Sequence, residues 1–182
     1  MERTNLIQFF QRNGESLGMK CDIRTQRLPR EGWAQFLRKS RGILGAESGT
    51  YYLDKTGQII EDVKNYVKGH PSVSFQEIHD LYFKNRQNPV SGKAISSRHF
   101  EPIGTKTCQI LIEGEYNGIL KADEHYLSVK KDLSNIKDVT QRFKDNSYRR
   151  AMVERTYEYV MDGHTYRHRV DMLLGIISND LR

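Results

Sequence analysis

Residues 96–120, SSRHFEPIGTKTCQILIEGEYNGIL, crowd an arginine, a histidine, three glutamates and a Gly-Thr-Lys-Thr run around one short apolar segment. In EPIGTKT, Gly104 lets backbone come close to a ligand, while the Thr105 and Thr107 hydroxyls and the Lys106 ammonium suit phosphate oxygens. The same residues also read as a glycine helix stop followed by a solvated lysine. The run is not a Walker A loop, because G-x-x-x-x-G-K-[ST] is absent. Glu101 stands before a proline, where its carboxylate could accept two ribose hydroxyls as the acidic residue of dinucleotide sites does. Its other reading is a surface ion pair with Arg98, three residues earlier.

Other groupings point to less. Ser96, His99 and Glu101 can be written as a hydrolase triad, but no G-x-S-x-G elbow presents a nucleophile. His164 and His168 have the i, i+4 spacing of zinc ligands, yet Thr165 stands where H-E-x-x-H needs glutamate. No Asp-x-Asp pair stands at a strand end to bridge a diphosphate through a metal, so neither a metal nor a cofactor is expected. The aromatic and basic residues from Tyr148 to Tyr159 read as a half-buried helix with snorkelling arginines.

The elements around these residues alternate. Leu6, Ile7, Phe9, Phe10 and Leu17 recur at helical spacing with Gly18 as a stop, and MKCDIR (19–24) reads as a short strand. REGWAQFLRKS puts Trp33, Phe36 and Leu37 on one helical face, before a buried strand RGILG. A helix around Arg98 to Ile103 leads to a strand CQILI, a turn GEYNG and a second strand near HYLSV. The helix SNIKDVTQRFKD then turns Ile136, Val139 and Phe143 inward, and a long helical region from Ser147 to Ile177 breaks near Gly163. This rhythm predicts a single α/β domain with a mostly parallel sheet and helices on both faces. Residues 46–95 interrupt it with two short helical segments, the second opening on Ser74 and Glu77 at capping-box spacing. They are expected to be an irregular helical insertion rather than a separate domain.

With 182 residues and 37% hydrophobic content, the chain can bury one sizeable core. A net charge of +6 and a pI near 9.3 favour anionic partners. Acidic residues are interspersed throughout, which argues against a nucleic-acid domain. No apolar run approaches bilayer-spanning length, and the first residues lack a signal-peptide core. Cys21 and Cys108 lack metal-ligand spacing, as a reducing compartment permits, and both are expected in the core. A cytoplasmic protein is expected, or one held peripherally at the inner membrane face.

The run from SRHFEPIGTKTCQILIEGEYNGIL to DVTQRFKD, with GWAQFLRKSRGILGAESG upstream and TYRHRV near the end, resembles the C-terminal, nucleotide-sugar-binding domain of GT-B glycosyltransferases. It is most similar to the group related to spore-coat CgeB-like and surface-polysaccharide glycosyltransferases. The resemblance implies a Rossmann-like fold and a nucleoside-diphosphate sugar as donor, with transfer to a cell-surface saccharide. It implies that Glu101 binds the donor ribose, that Arg98 approaches the same pocket, and that Gly104, Thr105, Lys106 and Thr107 lie beside the diphosphate. Relatives carry a first glutamate eight positions before the ribose glutamate, where this chain has Lys93. Glu47, in GAESG, takes that place if residues 48–97 are inserted, and would contact sugar hydroxyls. A GT-B enzyme needs a second, N-terminal Rossmann-like domain, which this chain is too short to hold. Hence a truncated or split gene product, or a subunit completed in trans by a partner chain supplying that half, is expected, with a non-catalytic sugar-nucleotide-binding or assembly protein as the rival reading.

Overall fold

The helical spacing at the start of the chain forms α1 (Glu2–Asn13), whose Leu6 and Phe10 are buried completely. The computed structural model describes residues 2–24, 26–50, 52–86 and 92–180. MKCDIR, expected as a strand, forms no regular structure. Asp22 and Arg24 close on each other at 2.8 Å in solvent, and Met19 alone of this segment packs on the core. Three charged side chains in six positions leave too little apolar surface to hold it on a sheet. Cys21 is accordingly exposed rather than in the core, whereas Cys108 is buried.

Helix α2 (Arg30–Lys39) buries Leu37 and stacks Trp33 on Phe36 with ring centroids 5.7 Å apart. It leads into strand β1 (Gly42–Gly45). Strand β2 (Ser48–Thr50), helices α3 (Gln58–Gly69) and α4 (Phe75–Tyr82), and strand β3 (Gly92–Ala94) come next, and β2 pairs with β3. Within this stretch Gly49–Lys93 makes a compact unit of its own. The Tyr66 hydroxyl donates to Glu77 at 3.1 Å and its ring meets Tyr82, which ties α3 to α4. Gly49, at φ +92°, lies so close to Gly92 that a Cβ would stand 2.0 Å from the Gly92 carbonyl oxygen.

The remainder, Met1–Ser48 with Ala94–Arg182, is the larger unit. It adds α5 (Ser97–Gly104), β4 (Cys108–Ile112), β5 (Leu127–Val129), α6 (Ile136–Lys144), α7 (Asn146–Gly163) and α8 (Tyr166–Asp180). The sheet runs β1-β4-β5, all parallel, with Gly42 opposite Cys108 and Ile110 opposite Leu127. Every residue of β4 is buried, as a central strand covered on both faces requires. Ile110, Ile112 and Val129 meet Leu6, Phe10 and Val139 on one face; Leu111 meets Ile103, Tyr116 and Val160 on the other. The protein is therefore α/β and Rossmann-like, with a parallel three-stranded sheet flanked by helices. Helix α8 leaves Val170, Met172, Leu173, Leu174 and Ile176 more than half exposed.

Candidate functional site

A parallel sheet gathers its exit loops at the carboxyl ends of its strands, and ligands bind there. Here β1 exits through Ala46, Glu47 and Ser48, β4 through residues 113–118, and α5 begins beside them at Ser96. Glu47, half-buried, accepts the Tyr116 backbone N–H at 2.8 Å with Oε1. Its Oε2 lies against Gly114, where a Cβ would come within 2.6 Å of it. The carboxylate thus fastens the β1 exit to the β4 exit.

The β4 exit loop is held in an uncommon shape. Tyr116, Asn117 and Gly118 take positive φ in succession, at +44°, +55° and +68°. Left-handed backbone at a bulky residue such as tyrosine persists only where surroundings over-determine it. They do so here. The fully buried Tyr116 hydroxyl donates to the Ile112 carbonyl at 2.6 Å, and Asn117 Oδ1 accepts the Ile95 N–H at 2.7 Å.

His99 locks α5 to the β1 exit. Its Nδ1 accepts the Ser96 N–H at 3.0 Å, so the proton belongs on Nε2, which donates to the Ala46 carbonyl at 3.2 Å. Burial lowers its pKa below the ordinary histidine value, which keeps the ring neutral. The Ser48 and Ser96 hydroxyls meet at 2.7 Å, a second tie between the same elements. Arg98, exposed on the first turn of α5, lies near Arg3, whose pKa is lowered by desolvation and by the Arg98 charge. Two like charges that feel each other favour a nearby anion.

The sequence-derived residues divide. Glu47, Arg98 and Glu101 belong to the exit loop of β1 or to α5. Glu101 is exposed, and its Oε2 accepts the Trp33 indole N–H at 2.7 Å, so its partner is the indole rather than Arg98. Gly104, Thr105, Lys106 and Thr107 precede β4 and so lie at the amino end of the sheet, away from Glu47. Thr107 is buried and donates its hydroxyl to the Leu37 carbonyl at 2.9 Å, and Thr105 and Thr107 meet at 3.0 Å. Lys106 is held by Glu154 at 2.6 Å and sits over the Tyr157 ring. Ser48, His99, Gly114, Tyr116 and Asn117 stand at the same exits without having been among the expected donor-binding residues. A signal for the last was present, since Asn-Gly is the dipeptide that accepts left-handed backbone most readily. Among the described residues, no three His, Cys, Asp or Glu side chains converge to hold a metal.

Residues 30–175 match the family described as Glycosyl transferase-like. The chain belongs to this glycosyltransferase family. The matched region starts at α2 and runs into α8, so this glycosyltransferase-like domain holds the whole parallel sheet, both exit loops and α5 within it. No curated protein matches the chain.

Proposed function

We propose that this chain binds a nucleoside-diphosphate sugar at the carboxyl ends of β1 and β4, as the C-terminal donor domain of a GT-B glycosyltransferase of the CgeB-like, surface-polysaccharide group. The observation that carries the reading is Glu47, a carboxylate fixed between two strand exits in a chain of the glycosyltransferase family. Its Oε1 is committed to the loop, and Oε2 beside Gly114 is available to sugar hydroxyls. The Trp33 indole fixes the Glu101 carboxylate through Oε2 and leaves Oε1 to accept a ribose hydroxyl. Arg98 and Arg3 supply positive charge for the diphosphate. The Gly104–Thr107 turn, at the other end of the sheet, has no part in this reading.

Transfer moves the sugar's anomeric carbon from the diphosphate oxygen to a hydroxyl oxygen of a saccharide acceptor, releasing the nucleoside diphosphate and the hydroxyl proton. A second Rossmann-like half, on this polypeptide or a partner chain, would carry the acceptor at the cytoplasmic side. Among the described residues no helix is long and apolar enough to cross a membrane.

Calorimetry on the full chain with UDP, GDP and their sugars tests the donor reading. Glu101→Ala removes a charge-assisted acceptor and is expected to weaken binding about ten- to a hundredfold. Glu47→Ala is expected to weaken the sugar nucleotides more than the bare nucleotides, and Lys106→Ala to leave both unchanged. Binding by Glu101→Ala equal to that of the unaltered chain removes Glu101 from the site, and failure of the full chain to bind any of these ligands overturns the proposal.

A further inference from the structure

At the amino end of the sheet, opposite the strand exits, lies a cleft of about 730 Å³ lined by Arg41, Lys106, Lys144, Arg149, Arg150 and Glu154. Four elements build it. Arg41 immediately precedes β1, Lys106 lies in the turn before β4, Lys144 ends α6, and Arg149 and Arg150 stand in the first turns of α7. Five cationic side chains thus face one carboxylate, and that carboxylate is already taken by Lys106 at 2.6 Å.

Arg149 decides what the cleft suits. Its side chain belongs to a residue only 9% exposed, and its guanidinium lies over the Phe143 ring at 5.3 Å. Its two terminal nitrogens donate to the Phe143 carbonyl and the Asn146 side-chain oxygen, and among the described residues no carboxylate forms an ion pair with it. A buried cation held only by neutral acceptors is unfavourably desolvated unless an anion compensates it. The hydrogen bonds to Phe143 and Asn146 fix the plane of the guanidinium, which prepares it for planar, bidentate recognition. Lys144 and Arg150, both exposed, line the same cleft and add two further charges for a bound group.

We infer that this cleft binds a phosphate group, carried by a small phosphomonoester or by the headgroup of an anionic lipid, at a site separate from the strand exits. Neither Glu47 nor Glu101 takes part, so the inference stands apart from the donor reading. Lys144 and Arg150 act as the entering charges and Arg149 as the fixed one.

The test uses the full chain and a Lys144→Ala/Arg150→Ala double variant, whose substitutions are at exposed positions and leave the core intact. Arg149→Ala is avoided as the primary variant because it empties a buried position. Inorganic phosphate is titrated by calorimetry, and flotation is measured with phosphatidylcholine vesicles containing or lacking phosphatidylglycerol. Loss of two charge-assisted contacts is expected to weaken the responsive probe about tenfold or more, while nucleoside-diphosphate binding at the strand exits is retained. Phosphate binding that falls in the variant supports the site with a soluble ligand. Flotation that requires phosphatidylglycerol and falls in the variant supports it with a headgroup. Silence of both probes with the unaltered chain, or equal responses from the two proteins, overturns the inference.

Discussion

Glu47 and Gly114 form one structural unit, because the carboxylate can keep its place only if residue 114 has no side chain. Gly114→Ala would put a methyl group 2.6 Å from Glu47 Oε2 and drive the carboxylate off the Tyr116 N–H. The expected outcome is weakened sugar-nucleotide binding of the same order as Glu47→Ala, read by calorimetry, with secondary structure unchanged by circular dichroism. Gln109 presents the opposite case. It sits in the central strand, 3% exposed, and its side-chain amide meets no hydrogen-bond partner among the described residues. Leaving such a group buried is unfavourable, so Gln109→Leu is expected to stabilise the fold by about 1 kcal/mol, measured as a raised urea midpoint. A lowered midpoint would show that the amide makes a contact the apolar side chain cannot replace. How much of the site was legible also differs residue by residue. Glu47 could be read as a strand-exit carboxylate from its place after RGILG. The tie of Glu101 to Trp33 joins positions 68 apart, and nothing local signals it.

Among the elements, order along the chain decides which end of the sheet a residue occupies. In a parallel sheet, the residues before a strand lie at its entry and those after it at its exit. Gly104–Thr107 precede CQILI, so their place at the entry follows from order alone. The helices and strands with strong periodicity, α1, α2, α5, α6 and β4, were legible because each buries one face or the whole of a strand. MKCDIR was not, because its apolar residues do not outweigh Asp22 and Arg24. Helix α4 shows how little holds a peripheral element: it buries no residue, and Ser74 Oγ caps it by accepting the Glu77 N–H at 3.2 Å. Ser74→Ala is expected to cost that helix about 1 kcal/mol. Hydrogen exchange should quicken at residues 75–82, while amides of β4 keep their protection; equal loss in β4 would count against a local role.

For the molecule as a whole, acidity is the lever. His99, His125 and His164 all have pKa values lowered chiefly by burial. Each therefore binds its proton more readily in the unfolded chain than in the folded one. Their contribution to stability is complete above the unfolded histidine value, about 6.5, and is lost as pH falls from there toward the depressed folded values. The denaturation midpoint should accordingly fall between pH 7.5 and pH 5. His99→Gln should reduce this slope, because the proton that takes the Nδ1 lone pair from the Ser96 N–H then has no ring to bind. A midpoint independent of pH over that window would contradict neutral, buried imidazoles.

The close approach of Gly49 to Gly92 has a consequence for the length of the chain between them. Residues that far apart in sequence and adjacent in space close a loop whose entropic cost rises only with the logarithm of its length. Doubling or halving such a loop changes that cost by about 0.6 kcal/mol. Insertions and deletions between residues 51 and 91 are therefore nearly neutral for closure, whatever they add or remove. Selection on folding has little grip on the size of this excursion, and its sequence is left to be shaped by whatever its own surface meets.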